Sequence, residues 1–197
     1  MENKRFSIME KAALLALCLT LLWGAWAQGR QSEIAAGLVR LHVLAVSDAE
    51  EEQALQLRVR DAVLDYLRPR LAEAEDAQAA REILRKELPG VEAAAQTAAE
   101  GREVRVSLGQ EDYPARDYGG FTLPAGRYES LRVVLGAGEG HNWWCVVFPP
   151  LCLEAVEEEP LQSAMSPEDY AIVSGKEGYE LRFWLVDLWG ELMNRLR

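Results

Sequence analysis

A histidine and two cysteines lie close together in GHNWWCVVFPPLC, residues 140–152, and are the side chains of this chain best suited to chemistry. His141 precedes Cys145 by four positions, which is compatible with the base and the nucleophile of a thiol enzyme. In a strand, however, the two side chains would lie about 13 Å apart along one face, at ~3.3 Å per residue. That separation is too long for a hydrogen bond, so the segment does not predict a catalytic pair by itself.

The other histidine, His42, lies in the first predicted strand and could face Cys145 across a strand pair. A histidine among aliphatic strand residues is more often structural, so a thiol-dependent hydrolase using Cys145 is kept as the alternative function. The cysteines and histidines lack the short paired spacings of zinc sites. GAGEGH is followed by a predicted strand and not by a helix, which excludes a dinucleotide-binding turn. We therefore predict no catalytic residue, no metal and no cofactor.

The same two cysteines could instead form a disulfide. Pro149 and Pro150 bend the chain after the predicted strand, and Cys152 could return to within the ~5.5 Å Cα separation that a disulfide requires. Such a bond would persist outside the cytoplasm. The segment thus predicts a Cys145–Cys152 disulfide, with two free buried thiols as the alternative.

The N-terminal residues have the pattern of an export signal. Three basic side chains precede an apolar run at residues 12–26, which is shorter than the ~20 residues of a spanning helix. Ala25 and Ala27 are the small residues expected before a cleavage site. Residues 1–27 therefore predict a signal peptide cleaved after Ala27 or, alternatively, an uncleaved membrane anchor. In both cases the basic residues stay inside and the body of the protein lies outside the cytoplasm.

The overall charge argues against one class of partner. The chain has 21 basic and 32 acidic residues, a formal net charge of -11 at pH 7. Nucleic-acid binding needs clustered lysine and arginine, and the sequence has no such cluster. Nucleic acid is therefore not an expected partner.

The order of the predicted elements is one strand, then helices, then more strands. Residues 37–46 are aliphatic and β-branched, which predicts a strand apolar on both faces. Helices follow, and prolines predict that they end near Pro69 and near Pro89. Further strands are predicted at 103–109, 126–136 and 142–148, the last two joined by the glycine-rich GAGEG as a hairpin. This order predicts one α+β domain, residues 37–152, with a small mixed or antiparallel sheet and a helical insertion after its first strand.

Two further segments follow the domain. Residues 153–177 are acidic and interrupted by prolines, which is typical of a mobile connector. Residues 178–197 place leucine and tryptophan at spacings of three and four, which predicts a C-terminal amphipathic helix. Its apolar stripe could dock on the domain or on a partner.

The GAGEGHNWW turn and the strand that it enters are the predicted binding surface, because turns carry recognition more often than strand interiors. The candidate partner-binding residues are His141, Asn142, Trp143 and Trp144. Strand alternation places the two tryptophans on opposite faces, so we expect that no more than one of them is exposed.

Three stretches of the chain resemble the stage II sporulation protein R family of endospore-forming bacteria. They are VRLHVLAVSD, RVRDAVLDYL and YPARDYGGFTLPAGRYESLRVVLGAGEGHNWWCVVFPPLC, which together extend from about Val39 to Cys152. NWWCVVFPPLC is the most specific part. Family members carry Asn before the Ser-Asp pair, where this chain has Val46, so a role of that side chain is in doubt here.

The resemblance implies a signalling protein that acts by binding and not by catalysis. Members are made in the forespore and exported into the space between the forespore and mother-cell membranes. There they are needed to activate a membrane-embedded aspartic protease that processes the precursor of sigma-E. A passive envelope-binding domain is a third possible function of such an exported chain. Membrane contact through residues 12–26 is expected if the N-terminal segment is retained.

Overall fold

The structure is a computed structural model that describes residues 2–118, 120–151, 161, 164–175 and 180–196. It has the predicted α+β architecture, in which helices separate the first strand from the others. The helices are α1 (Glu2–Ala36), α2 (Glu50–Leu71), α3 (Ala77–Ala98), α4 (Pro167–Val173) and α5 (Glu180–Leu196). The strands are β1 (Val39–Leu44), β2 (Val104–Tyr113), β3 (Arg116–Asp117), β4 (Thr122–Leu123), β5 (Gly126–Leu135) and β6 (Asn142–Phe148).

Four of these strands form a mixed sheet in the order β2-β5-β1-β6, and β3 and β4 form a separate short pair. β1 is parallel to β5 and antiparallel to β6. The predicted β5–β6 hairpin is therefore wrong, because β1 lies between the two strands that GAGEG connects. The turn sequence determines only that the chain reverses direction there. Which strand pairs with β5 and with β6 depends on how the faces of the sheet are buried.

Helices α2 and α3 cover one face of this sheet, which we call the helix-facing face. Their buried positions repeat at helical spacing, for example Val59, Val63 and Leu67 on α2, and they pack against Leu41 and Leu131 of the sheet. Burial of this apolar stripe is what stabilises such helices, since isolated helices of this length are marginal.

The predicted helix end near Pro69 is confirmed to within two residues, whereas the predicted end near Pro89 is wrong. α2 continues to Leu71, and α3 continues through Pro89 to Ala98 as one helix. Both prolines are exposed, so the hydrogen bond that each lacks faces solvent while the buried stripe on the other side remains intact. Gly90 follows Pro89 because a Cβ there would lie 1.8 Å from the hydroxyl of Tyr66.

The opposite face of the sheet, which we call the polar face, is covered by the C-terminal part of α1, by α4 and α5, and by the β3–β4 pair. A second cluster of buried residues fills this layer, with Ile34, Tyr113, Phe121 and Tyr170 among its members. The predicted C-terminal helix is present as α5. The segment predicted as a connector contains α4, and residues 152–160, 162–163 and 176–179 lie outside the described residues.

Helix α1 joins this domain to the apolar N-terminal residues. Its section from Ile8 to Ala36 is long and apolar enough to span a membrane, with a mean hydropathy of 1.6 in its most apolar stretch, although a signal sequence passes the same test. Ala27, the residue before the predicted cleavage site, lies in the middle of this helix and is fully buried. Whether the chain is cut there stays a prediction.

Candidate functional site

The glycine-rich turn places His141 and Asn142 at one end of the sheet. The turn passes over the end of β1, where Gly140 donates a hydrogen bond to Ala45 and Ala45 donates one to His141. Gly140 is needed because a Cβ there would lie 2.3 Å from the carbonyl oxygen of Ser47. Gly136 and Gly138 have φ values of 53° and 68°, as the glycine-rich sequence predicted.

A chain of buried hydrogen bonds lies behind this turn, on the polar face. His42 Nδ1 is 2.8 Å from Glu111 Oε1, and Ser130 Oγ donates to Glu111 Oε2 at 2.9 Å. The hydroxyl of Tyr113 lies 2.7 Å from Ser130 Oγ and completes the chain as the donor. Three strands contribute: β1 carries His42, β2 carries Glu111 and Tyr113, and β5 carries Ser130. This network cannot be a serine protease triad, because the serine contacts the carboxylate and not the imidazole.

Asn142 connects this buried chain to the surface. Its side chain is exposed, and its Oδ1 lies 2.9 Å from His42 Nε2. Both ring nitrogens therefore face oxygen acceptors, which suits an imidazolium that donates from each nitrogen. If the amide of Asn142 turned over, its Nδ2 would donate to a neutral ring whose Nδ1 hydrogen still faces Glu111. In either state the buried histidine fixes the orientation of an exposed amide.

Glu111 is the charged centre of the network. Partial burial raises its pKa, but the hydrogen bond and charge of His42, the hydrogen bond of Ser130 and the nearby Arg132 together lower it below the ordinary value. Arg132 Nε lies 3.7 Å from Glu111 Oε1. A shallow cleft of about 150 Å³ opens beside the two residues, lined also by Ser107, Gly109, Gln110 and Ser130. Glu111 therefore stays ionised at neutral pH and holds His42 in place.

The two tryptophans after Asn142 project from opposite faces of the sheet, as strand alternation predicted. Trp143 packs against the helix-facing cluster, with Arg60 of α2 4.8 Å from its ring. Trp144 packs against the polar-face cluster, with Arg116 of β3 4.0 Å from its ring. Each ring is half-buried, so neither tryptophan is fully exposed. An arginine therefore lies over each ring, and part of each ring stays accessible to solvent.

Arg40, two positions before His42, lies under this site and is fully buried. Its guanidinium lies 3.9 Å from the ring of Tyr113 and 5.0 Å from that of Tyr128, and it donates a hydrogen bond to the hydroxyl of Tyr118. Burial raises the pKa of all three tyrosines, and the arginine charge opposes that rise. This desolvated cation–π cage ties Tyr118, at the end of β3, to the sheet.

The structure separates the residues of the thiol-hydrolase alternative. In the β1–β6 pairing Cys145 lies opposite Leu41, and His42 lies opposite Trp144. Cys145 therefore shares the helix-facing side with Trp143, whereas His42 is on the polar face. A side chain on one face cannot take a proton from a side chain on the other, so His42 and Cys145 cannot act as base and nucleophile.

The other candidate residues are distributed as follows. His141 is exposed and its Nδ1 lies 3.7 Å from Asp48 Oδ1, a contact between two exposed side chains. Cys145 is buried, and Cys152 lies outside the described residues, so their disulfide stays a prediction. Within the described ranges no group of three or more His, Cys, Asp or Glu side chains is arranged to hold a metal ion.

Sequence reasoning missed Glu111, Ser130 and Arg116. Glu111 lies in GQEDY, where the alternation of β2 had ended, so the strand was predicted to stop at residue 109. The signal available was the position of His42: a titratable residue in a central strand requires a partner, and a carboxylate on a neighbouring strand is the usual one. Which carboxylate it would be depends on the register of the sheet.

The fold and this site define a class of protein: an α+β domain joined to a long apolar N-terminal helix, with a hydrogen-bonded polar site at one end of its sheet. A family model for stage II sporulation protein R matches residues 35–158. A curated relative, stage II sporulation protein R of Bacillus subtilis (strain 168), is 30% identical over 182 residues, covering 79% of this chain and 81% of the relative. The chain belongs to the stage II sporulation protein R family. No solved structure matches it.

Proposed function

We propose that this sporulation protein is an exported signal made in the forespore, which activates the membrane-embedded aspartic protease that processes the sigma-E precursor. It acts by binding that protease and not by catalysis. The family membership supports a role in sporulation, and the apolar N-terminal helix is compatible with export. The alternative thiol hydrolase is disfavoured, because its only two candidate bases do not reach Cys145: His42 is on the other face, and His141 is directed to Asp48.

Binding is assigned to the surface formed by His141, Asn142 and the half-buried edge of Trp144. The observation that carries this assignment is the exposed Asn142 amide held by the buried His42–Glu111 pair. A polar group fixed before binding loses less conformational entropy when a partner arrives. β6 is also the last strand of the described sheet, so the surface lies at a sheet edge, where partner segments commonly add.

The test is processing of the sigma-E precursor in a host that does not sporulate. The full chain, the membrane protease and the precursor are co-expressed, and processing is followed by immunoblot. The double variant His141→Ala/Asn142→Ala is expected to reduce processing several-fold. It should lower the free energy of unfolding by only about 1 to 2 kcal/mol, because both side chains are exposed and the main loss is the hydrogen bond of Asn142 to His42.

The matched control is Arg58→Ala/Glu100→Ala, a pair of exposed side chains that joins α2 to the turn after α3. It removes the same number of polar side chains away from the proposed surface and should leave processing unchanged. Processing without the chain would refute the signalling role. Processing that is equal in both double variants would move the binding surface elsewhere.

A further inference from the structure

Helix α5 carries an apolar stripe that no described part of the protein covers. Trp184, Leu188, Leu192 and Leu196 follow one another at spacings of four, with exposed fractions of 56%, 40%, 43% and 71%. This is a continuous apolar strip along one face of the helix. Large apolar strips on a protein surface mark an interaction site.

The other face of α5 is firmly docked. Gly190 packs on the carbonyl of Ala125, where a Cβ would lie 1.8 Å from the oxygen, and Asp187 accepts a hydrogen bond from the Ala125 N–H at 2.7 Å. Near the end of the helix, the side-chain amide of Asn194 donates to the carbonyl of Tyr113 at 3.0 Å. These contacts fix the rotation of α5 about its axis, so the stripe must point away from the domain.

α5 docks on α1 at the point where α1 leaves the domain. The ring of Trp189 lies against Gly24, where a Cβ would be 2.7 Å from it, and its Nε1 donates to Gln28 at 3.1 Å. Trp23 meets the same ring edge to face at 5.8 Å. Five residues after Trp189, Asn194 contacts strand β2, so α5 packs on both α1 and the sheet.

The section of α1 before this contact is exposed and apolar. Leu14, Leu19 and Leu22 are 62%, 58% and 68% exposed, and only 6% of the most apolar stretch of the helix is buried. Trp189, the residue after Leu188 of the stripe, contacts α1 at Trp23 and Gly24, directly after this exposed section. The stripe therefore lies close to the point at which an apolar helix projects from the domain.

Several tryptophans lie near the contact between α5 and α1. Trp23 and Trp26 of α1 and Trp189 of α5 are half-buried, and Trp184 of α5 is exposed. These are four of the six tryptophans of the chain. Tryptophan is enriched where membrane proteins meet the boundary between acyl chains and water.

From these observations we infer that the α5 stripe lies on a lipid bilayer, with α1 retained as the anchor that spans it. Although the section Ile8–Ala36 is long enough to span a membrane, its part from Trp23 onward packs on the domain. The exposed part, residues 8–22, is about 22 Å long at ~1.5 Å per residue, which is short for a ~30 Å hydrocarbon core. An interfacial helix enters the boundary by ~5–10 Å, so α5 would supply the apolar contact that the short span lacks. A second copy of the chain would cover the stripe but would leave the nearby exposed surface of α1 unexplained.

The test uses the full chain with Cys18→Ser, reconstituted in vesicles of phosphatidylethanolamine and phosphatidylglycerol. A fluorophore is attached at Leu192→Cys on the stripe or, as the matched control, at Leu57→Cys, an exposed leucine of α2 that is 40% accessible. A lipid with a shallow acyl-chain quencher is expected to quench the label at position 192 several-fold more than the label at position 57, because an interfacial helix reaches the acyl boundary. The Cys18→Ser chain without an added cysteine is labelled in parallel. It measures the background label on the two remaining native cysteines, Cys145 and Cys152.

Three outcomes would overturn the inference. Equal quenching at the two positions would place the stripe in water. Shielding of position 192 that rises with chain concentration and is insensitive to the lipid quencher would assign the stripe to a second copy. An exported chain that begins at Gln28 would lack the anchor. None of these results bears on sigma-E processing, so the inference and the proposed function can fail separately.

Discussion

The two faces of the central sheet are made of opposite chemistry although they share the same strands. On β1, Leu41 and Val43 point to α2 and α3, while Arg40 and His42 point to the other side, and all four are buried. The expectation that this strand would be apolar on both faces was thus half wrong. The helix-facing face needs only matching apolar volume, whereas the polar face needs a specific partner for each buried donor and charge.

This difference determines how each face specifies the structure. Apolar contacts are non-directional, so Leu41 could pack on many arrangements of two helices. The contacts of His42 with Glu111 and Asn142 require one register between three strands. The helix-facing face therefore contributes most of the free energy of unfolding. The polar face fixes the positions of the side chains at the site.

The largest expected effect compares neighbouring residues of β5. Leu131 is fully buried on the helix-facing face, and Leu131→Ala should lower the free energy of unfolding by about 3 kcal/mol through the cavity that it leaves. Ser130→Ala, on the polar face, removes the donor to Glu111 and should cost about 1 to 2 kcal/mol. Urea denaturation of both variants measures the difference, and a larger loss for Ser130→Ala would reverse the assignment of stability between the faces.

The second prediction concerns Cys145, which is buried on the helix-facing side. If it is bonded to Cys152, the exported protein should be about 2 Da lighter without reductant than with it. Reduction should lower the free energy of unfolding by roughly 2 to 3 kcal/mol, because the unfolded chain loses a short closed loop. Two alkylatable thiols in exported material would contradict the pairing.

The third prediction concerns the charge of the polar face. The pKa of Glu111 is lower in the folded protein than its ordinary value of 4.5, so the folded state binds that proton less tightly than the unfolded state. Its stabilising effect is therefore complete above the unfolded pKa and is lost as the pH falls through the lower folded pKa. Glu111→Gln should cost about 1 to 2 kcal/mol at pH 7 and less in acid.

Denaturation of Glu111→Gln and of the parent chain at pH 7 and at about pH 3 measures this change, since the ordinary glutamate pKa lies between those values. Glu103→Gln is the control, because this carboxylate lies near the start of β2 and its side chain is 70% exposed. The control should leave the stability at pH 7 unchanged. A Glu111→Gln loss that is as large in acid as at pH 7 would show that the side chain stabilises by shape and not by charge.

Parts of the fold were predictable because they depend on local patterns. Period-two alternation found the first part of β2, short runs of apolar residues found β5 and β6, and the repeat of leucine and tryptophan found α5. Pro89 was wrongly predicted to end a helix, because the sequence does not reveal that this proline faces solvent. The β5–β6 hairpin was wrong for a related reason: the sequence of a turn does not reveal that a third strand will enter between its two arms.

The site was predictable only at its surface. His141 and Asn142 were identified from the turn that carries them, since turns lie at the surface. Their support was not, because Glu111 lies 69 positions from His42 along the chain and meets it only in the folded sheet. Arg40 gave no sequence signal of a tyrosine cage, as its three partners come from β2, β5 and the segment after β3.

The sequence by itself determined the α+β class, the apolar N-terminal helix, the acidic charge and the family, because each is a property of composition, short-range period or direct similarity. Only the tertiary structure decided that His42 joins Glu111 and Asn142, that Cys145 lies on the sheet face opposite His42, and that α5 docks by one face and exposes the other. The physical reason is that hydrogen bonds and close packing act over a few ångströms. Residues far apart in the chain come within that range only when the register of the sheet and the rotation of the helices are fixed.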